Sequence, residues 1–160
     1  TPLYELRRYG VNPQLGSDTS VGSTFISAAN AGLGAAWLSS SAQPGFIGTG
    51  YRYTAAGTGG GTATWNFTLT QTGTYQVSAR WTTSNNRATN APYTVTHRNG
   101  SSTVRVNQQT NNGVWVPLGQ FQFDGGMAYN VTLSDDANGL VIADAIQVSP
   151  VSAVADWELY

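Results

Sequence analysis

Apolar and polar residues alternate strictly along two consecutive segments, and this pattern constrains the fold more than any other feature of the sequence. Apolar side chains occupy every second position of residues 62–69, and residues 74–82 repeat the pattern after a turn at residues 71–73. Side chains of a β-strand point alternately to its two faces, so each segment predicts a strand with one buried face. We therefore expect the two segments to form an antiparallel pair over a hydrophobic core.

Turn signals predict further strands around these two segments. Asn99-Gly100 separates alternating runs at 93–97 and 104–106, and Asn-Gly is the strongest short-range hairpin signal because both residues tolerate positive φ. Other strands are predicted over residues 24–28, 35–39, 50–54, 114–123, 128–134 and 140–148, with a bend near Pro117 and Gly119. No segment has the periodicity of an amphipathic helix. The sequence thus predicts an all-β fold, an antiparallel two-sheet β-sandwich that is jelly-roll-like.

The predicted sandwich spans residues 16–150 and is flanked by two strand-like arms. The N-terminal arm, residues 1–15, is apolar and basic, whereas the C-terminal arm, residues 151–160, is apolar and acidic. Opposite charges at the two ends suit head-to-tail contact between copies of the chain. The residues that we expect to mediate such contact are Leu3, Tyr4, Leu6, Arg7, Arg8 and Tyr9 in the first arm and Trp157, Glu158, Leu159 and Tyr160 in the second.

Composition excludes several classes of function. The 160 residues include no Cys, no Lys and a single His, which excludes thiol, iron–sulfur and Schiff-base chemistry. A formal net charge of -1 gives no basic surface for nucleic acid. No apolar run approaches the roughly 20 residues of a membrane-spanning helix. From the low share of charged residues and the many Thr, Asn and Gly residues we expect a secreted, extracellular protein.

The sequence also predicts no catalytic residues. His97 shares its predicted strand face with Tyr93 and Val95, which is typical of a structural histidine rather than of a general base. A glycosidase requires two carboxylates on either side of the scissile bond. Most aspartates of the sandwich instead lie in Gly- or Asn-rich turns, where Asp is favoured because its side chain bonds the nearby backbone.

One aspartate occupies a position where an apolar residue is expected. Asp144 falls on the apolar positions of the predicted strand 140–148, so its carboxylate is expected to point into the core. A buried charge requires a partner. We expect Arg52, Arg80 or Arg87 to supply it through a bidentate bond.

The alternative partner for Asp144 is a metal ion. Asp135 and Asp136 lie in a turn shortly before it, and Ca²⁺ prefers clusters of carboxylate and carbonyl oxygens. The spacing does not match an EF-hand loop. Asp135, Asp136 and Asp144 therefore form only a candidate Ca²⁺ site, and the sequence indicates no other cofactor.

Several short motifs occur in a fixed order along the middle of the chain. They include Tyr51-Arg52-Tyr53, Ala63-Thr64-Trp65, Gly73-Thr74-Tyr75, Arg87-Ala88-Thr89-Asn90, Trp115-Val116-Pro117 and Ala143-Asp144-Ala145. Over residues 18–149 the sequence resembles the golvesin and xanthan-lyase type of carbohydrate-binding-like domain. The resemblance implies a β-sandwich accessory module of secreted bacterial proteins without catalytic residues of its own.

Two functions remain open. The first, which we place ahead, is a non-enzymatic extracellular structural subunit that self-assembles with other copies of itself through the two arms. The alternative is a carbohydrate-binding accessory module, since sugar rings stack on exposed aromatic side chains and sugar hydroxyls bond polar groups at the rim. The residues predicted for that site are Trp115 as the platform and Arg87, Asn90, Asn107 and Gln109 as the rim.

The competing interpretation of the aromatic residues is structural. Trp65, Trp81 and Trp115 all lie in strand-like segments, and aromatic residues at period two usually fill the core of a sandwich. A polysaccharide partner is therefore expected only if Trp115 is accessible.

Overall fold

The computed structural model describes residues 24–27, 31–33 and 37–151, and twelve strands lie within them. They are β1 (Thr24–Ser27), β2 (Gly32–Leu33), β3 (Leu38–Ser40), β4 (Tyr51–Thr54), β5 (Thr62–Thr68), β6 (Gly73–Arg80), β7 (Ala91–His97), β8 (Gly100–Val106), β9 (Val116–Phe123), β10 (Ala128–Ser134), β11 (Val141–Ala143) and β12 (Ala145–Pro150).

The strands form two large sheets and one small one. The large sheets have the orders β1-β12-β6-β9 and β2-β5-β10-β7-β8, and the small sheet has the order β11-β4-β3. Neighbouring strands in all three sheets are antiparallel. The predicted antiparallel β-sandwich is confirmed, with the small third sheet as an addition that the sequence did not predict.

The alternating segments bury the faces that the sequence predicted. Ala63, Trp65 and Phe67 of β5 are buried, as are Val77 and Ala79 of β6. The predicted pairing of the two strands is wrong, because β5 lies between β2 and β10 whereas β6 lies between β12 and β9. The turn after β5 carries the chain to the opposite sheet. Two such strands bury the same faces whether they lie side by side or oppose each other across a core.

Aromatic side chains from both large sheets form the centre of the core. Phe123 of β9 meets Phe67 of β5 and Tyr129 of β10 edge to face, with ring centroids 5.4 Å and 4.9 Å apart. The ring of Trp81, which follows β6, lies 6.4 Å from that of Tyr93 in β7. Such contacts add roughly 0.5–1.5 kcal/mol each to the burial of the rings, so they fix one sheet on the other.

The bend predicted in β9 is confirmed as a β-bulge. Val77 of β6 pairs with Gly119, but the next residue, Ser78, pairs with Pro117, which leaves Leu118 without a partner in the register. An extra residue of this kind bends a strand and increases its twist.

The predicted hairpin of β7 and β8 is also confirmed, with its turn shifted by one residue. His97 pairs with Gly100, so Arg98 and Asn99 are the loop residues and Gly100 begins β8. The φ angle of Gly100 is 120°, in a region that favours glycine because other residues carry a Cβ atom.

The predicted strand 140–148 is divided at Asp144. Val141–Ala143 forms β11 in the small sheet, and Ala145–Pro150 forms β12 in the four-stranded sheet. Residues 141–146 are all buried, so the apolar periodicity gives no sign of the change of sheet. Asp144 thus occupies the point where the chain passes from one sheet to another.

The side-chain amide of Gln108 bonds the backbone of β11 in the way that a neighbouring strand would. Its Nε2 donates to the carbonyl oxygen of Ile142 and its Oε1 accepts the Ile142 N–H, both at 2.8 Å. Nε2 also lies 3.2 Å from the hydroxyl oxygen of Tyr93. Buried backbone groups require such partners, and here a side chain provides them.

Candidate functional site

Two cavities that share Ser40 and Tyr51 lie along β3 and β4, and we call the two together the Tyr51 cleft. Their volumes are about 300 Å³ and about 270 Å³. The first is lined by Ser40, Ala42, Gln43, Tyr51, Tyr53, Ser84, Asn86, Arg87 and Leu140, and the second by Ser39, Ser40, Ser41, Thr49, Gly50, Tyr51 and Arg52. Hydroxyl and amide groups predominate in this lining, together with two tyrosines and two arginines.

The register of β3 and β4 brings serine hydroxyls next to the aromatic residues. Ser40 lies opposite Tyr51 and Ser39 lies opposite Arg52. Tyr51 and Tyr53 occupy alternate positions of β4 and so share one face, where their ring centroids are 6.5 Å apart. One wall of the cleft is therefore a short strand that presents two tyrosines.

Backbone hydrogen bonds hold the opposite wall. The N–H of Ala88 donates to the Leu140 carbonyl at 2.8 Å, and the N–H of Leu140 donates to the Asn86 carbonyl at 3.1 Å. These two bonds enclose an isolated parallel bridge between Arg87 and Leu140. Arg87 thus sits on a backbone whose position is fixed on both sides.

The guanidinium of Arg87 is buried among neutral acceptors. The residue is 5% exposed, and its Nη1 donates to Asn86 Oδ1 at 2.7 Å. Longer bonds run from Nε to the Thr82 carbonyl at 3.4 Å and from Nη2 to the Tyr51 hydroxyl at 3.3 Å and to Thr82 Oγ1 at 3.5 Å. Its Cζ lies 5.7 Å from the centroid of the Tyr51 ring. Arg87 and Tyr51 therefore form a cation–π pair across the cleft.

Tyr51 is polarised by its neighbours. Burial alone would raise the pKa of its hydroxyl, but hydrogen bonding with Ser40 and the positive charge of Arg87 lower that pKa below its ordinary value. The pKa is lowered because the Ser40 hydroxyl and the Arg87 guanidinium both favour the phenolate form.

The structure does not gather the five residues predicted for a sugar site. Of these, Arg87 lines the Tyr51 cleft, and the other four do not. Asn90 accepts the Asn138 N–H at 2.8 Å, and Asn107 accepts the N–H of Gln109 at 2.9 Å. Gln109 Nε2 donates to the Arg87 carbonyl at 2.8 Å. These three amides stabilise loops, and Gln109 positions the backbone of Arg87.

Trp115 lies apart from the cleft lining, although it is half-buried rather than part of the core. Arg80 covers its ring at 5.7 Å from Cζ to the centroid, and Arg80 Nε donates to the carbonyl of Gly45 at 3.1 Å. Trp65 and Trp81 are fully buried, as the structural interpretation of these residues predicted.

The three aspartates of the candidate Ca²⁺ site have separate partners. Asp135 Oδ1 accepts the N–H of Gly59 at 2.7 Å, and Asp136 pairs with Arg105 at 2.7 Å. Asp144 bonds the backbone elsewhere, as described next. No group of three His, Asp or Glu side chains within the described residues is arranged to hold a metal ion. The structure thus does not support the Ca²⁺ alternative.

Asp144 is fully buried, as predicted, but its hydrogen-bonding partner is the backbone instead of an arginine. Both carboxylate oxygens accept the N–H of Ile47, at 3.1 Å and 3.3 Å. The predicted bidentate arginine bond is wrong, since the guanidinium of Arg80 bonds Gly45 and acts on the carboxylate only through its charge. Asp144 and Arg80 together hold the loop before β4 that carries Thr49 and Gly50 of the cleft.

The pKa of Asp144 departs strongly from that of an ordinary aspartate. Burial raises it to about 7, because the hydrogen bond from Ile47 and the charge of Arg80 compensate only in part.

The contacts of His97 are those of a structural residue. Its Nδ1 accepts the Asn99 N–H at 3.2 Å, so in the neutral ring Nε2 carries the proton and donates to Ser102 Oγ at 2.9 Å. A general base would have to accept a proton from the serine, which is the opposite arrangement. The ring also stacks on Phe121 with centroids 5.1 Å apart.

The comparisons with known proteins agree with this architecture. The sequence model of the Golvesin C-terminal domain matches residues 24–150. The chain belongs to this family. Xanthan lyase from Bacillus sp. (strain GL1) is 31% identical over 116 residues, which are 69% of this Golvesin C-terminal domain chain and 12% of the lyase.

Solved structures show the same fold. The structure of Paenibacillus xanthan lyase has a TM-score of 0.77 and 34% identity, with coverage of 86% of this chain and 13% of the lyase. A family 35 carbohydrate-binding module in complex with a glucuronic-acid-containing disaccharide has a TM-score of 0.58, with coverage of 78% of this chain and 91% of that module. Identity to the module is 19%, so the likeness concerns the fold alone. The chain spans only a small part of either lyase.

The sequence analysis missed most of the cleft. Ser40, Gln43, Ser84 and Asn86 gave no signal, because polar residues of these types are common in loops and at strand ends. The motif Tyr51-Arg52-Tyr53 was the available signal, since two tyrosines at alternate positions of a strand must share a face.

The residues predicted for self-assembly all lie outside the described residues. These are Leu3, Tyr4, Leu6, Arg7, Arg8, Tyr9, Trp157, Glu158, Leu159 and Tyr160. Self-assembly through the arms, and with it the boundary of the arms at residues 15 and 151, stays a prediction from the sequence. Within residues 24–27, 31–33 and 37–151, no helix is long and apolar enough to cross a bilayer.

Proposed function

We propose that this Golvesin C-terminal domain is a non-catalytic carbohydrate-binding module of a larger, secreted protein, and that the Tyr51 cleft holds the saccharide. The observation that carries the proposal is the composition of the cleft. The half-buried Tyr53 presents aromatic surface beside the buried Tyr51, among the hydroxyl and amide groups of Ser40, Gln43 and Asn86. Sugars require both, since their C–H faces stack on rings and their hydroxyls bond polar side chains.

The similarity to known proteins also supports the proposal. The relatives named xanthan lyase share this domain as a small part of a much longer chain, and the family 35 module has the same fold. The cavity volume of about 300 Å³ lies near the lower end of the range for small-molecule sites, and a single sugar unit fits such a site.

The test measures polysaccharide binding by the full chain and by two variants, one at Tyr53 and one at Trp115. Affinity electrophoresis in gels that contain neutral and acidic polysaccharides shows binding, and calorimetry measures it. We expect Tyr53→Ala to weaken binding about 10-fold or more, because it removes a stacking surface and its burial energy. Trp115→Ala, at the site predicted from the sequence, is the matched control and should leave binding unchanged.

Three outcomes count against the proposal. The absence of binding to every polysaccharide rejects the function. Unchanged binding by Tyr53→Ala rejects the cleft as the site, and loss of binding by Trp115→Ala alone moves the site to the Arg80–Trp115 surface. Circular dichroism of each variant confirms that the fold is retained before affinities are compared.

A further inference from the structure

The charge of the Tyr51 cleft has one sign. Arg87 lines the first cavity and Arg52 lines the second, whereas no Asp or Glu of the described residues lines either one. Because the whole chain has a formal net charge of -1, a recess with two arginines and no carboxylate departs from its average surface.

We propose that the Tyr51 cleft binds an acidic saccharide, whose carboxylate or sulfate group is bound by Arg87, with Arg52 as a second cation in the adjoining cavity. This inference rests on the proposed function, because it specifies the chemical class of sugar for the same site.

Arg87 has hydrogen-bonding capacity that the protein does not use well. A guanidinium carries five N–H donors in a fork that matches an oxyanion. One bond, to Asn86, is short, and the bonds to Thr82 and Tyr51 are 3.3–3.5 Å long. Charge-assisted bonds to a carboxylate are typically about 2.7–2.9 Å. An anionic ligand would replace weak neutral acceptors with strong charged ones.

Because Arg87 is buried, its lack of strong hydrogen-bonding partners lowers the stability of the ligand-free protein. A buried charge is stable only with a partner, and the partners of Arg87 within the described residues are all neutral. Tyr51 contacts the guanidinium as a cation–π partner, with Cζ 5.7 Å from the ring centroid, and its hydroxyl accepts from Nη2 at 3.3 Å, so Arg87 is held in place before the ligand arrives.

Arg52 provides a second and more adaptable cation. It is half-buried on β4 next to Tyr51, and its guanidinium makes no hydrogen bond or ion pair to the described residues. Arg52 lies on the opposite face of β4 from Tyr51 and Tyr53, so it adds positive charge to the second cavity, whereas Arg87 and the ring of Tyr53 line the first.

The experiment compares each acidic polysaccharide with a neutral partner of the same backbone. Polygalacturonate, hyaluronan, alginate and xanthan are each tested against their carboxyl-reduced forms, and dextran sulfate is tested against dextran. The full chain is titrated by calorimetry as wild type, Arg87→Gln, Arg52→Gln and Arg105→Gln. Arg105→Gln removes the same charge at an exposed ion pair outside the cleft and is the matched control.

We expect at least one acidic polymer to bind and its neutral partner to bind at least about 10-fold more weakly. Arg87→Gln should weaken binding about 10- to 100-fold, Arg52→Gln less, and Arg105→Gln not measurably. Binding of a uronate polymer but not of dextran sulfate assigns the anion as a carboxylate, and the reverse assigns a sulfate.

Other outcomes overturn the proposal in distinguishable ways. Equal binding of an acidic polymer and its neutral partner rejects the acidic class and leaves the carbohydrate-binding function intact. Equal losses in Arg87→Gln and Arg105→Gln show non-specific attraction to charge and reject the site. No binding to any acidic or neutral polymer rejects both this inference and the proposed function.

Discussion

The arginines of this protein occupy two contrasting environments. At the surface, Arg98 and Arg105 pair with Asp124 and Asp136 at 2.6 Å and 2.7 Å, and their side chains are 36% and 45% exposed. In the cleft, Arg87 is buried and bonds only neutral oxygens. Among Arg87, Arg98 and Arg105, the residue with least access to water is thus the one that bonds no carboxylate.

Stability alone would favour the opposite distribution. Exposed ion pairs contribute little, typically about 0–1 kcal/mol, whereas a buried charge without a counter-charge is costly. Carboxylates pair with the exposed Arg98 and Arg105, where an ion pair stabilises the protein least, and not with the buried Arg87. This contrast supports the proposal that the charge of Arg87 serves a ligand, and the following experiments test the contrast.

The largest expected effect is that of charge reversal at the two kinds of position. Arg87→Glu should lower the free energy of unfolding by about 3–5 kcal/mol, because it buries a carboxylate without a counter-charge next to the carbonyl oxygens of Thr82 and Asn86. Arg98→Glu should lower it by about 1 kcal/mol or less, because water solvates the new charge. Urea unfolding measures both values. Equal values for the two variants would remove the distinction between the environments.

The second prediction concerns Asp144, the buried acidic counterpart of Arg87. Its pKa is about 7 in the folded state and about 3.8 in the unfolded state, so between these values the folded state binds the additional proton. The free energy of unfolding should therefore fall as pH rises from about 4 to about 7, by roughly 4 kcal/mol from this residue.

Asp144→Asn provides the control for the pH dependence. The variant keeps an oxygen for the Ile47 N–H but does not titrate, so the difference in unfolding free energy between it and the wild type isolates the one carboxyl group. Urea unfolding at half-unit pH steps measures this difference. A difference that stays constant from pH 4 to pH 7 would show that Asp144 titrates as an ordinary aspartate.

A smaller effect is expected when Arg87 is made neutral. Arg87→Met keeps most of the side-chain volume and removes the buried charge, so the free energy of unfolding without ligand should change by less than about 1 kcal/mol. Thermal unfolding without polysaccharide measures this change. A loss of several kcal/mol would make Arg87 a structural residue and would end the contrast with the surface arginines.

The smallest effect is expected at the surface pair itself. A double-mutant cycle with Arg98→Gln and Asp124→Asn should give a coupling energy of about 0.2–1 kcal/mol that decreases with added salt. Urea unfolding at low and high NaCl concentration measures it. Coupling well above this range and insensitive to salt would show that exposed pairs in this protein do stabilise the fold.

The sequence predicted which side chains are buried far better than it predicted which strands lie side by side. Alternation identified the buried faces of β5 and β6, because period two follows from the geometry of any strand. It could not identify their partners, because it carries no information about which strand lies beside which. The same limit concealed the change of sheet at Asp144, where consecutive residues are all buried.

The cleft was less predictable for a related reason. Asp144 was expected in the core, but its partner Ile47 lies 97 positions away in the chain and is bonded through its backbone, which no side-chain pattern reveals. Arg87 was predicted as one of four polar residues at the rim of a sugar site and Trp115 as its platform, but the sequence pattern does not determine where the segment that carries Trp115 lies in the fold.

The pairing of β1 with β12 has a mechanical consequence. Thr24 lies opposite Val148 and Ser27 opposite Ala145, so the first residue of β1 lies beside the C-terminal part of β12, at one end of the ladder. Tension applied through the flanking chain would therefore peel β1 from β12 one residue pair at a time instead of shearing all pairs together. The cleft belongs to β3, β4 and the Arg87 segment, which are outside that ladder. In a larger protein under tension, β1 would therefore separate from β12 before the force reached a saccharide in the Tyr51 cleft.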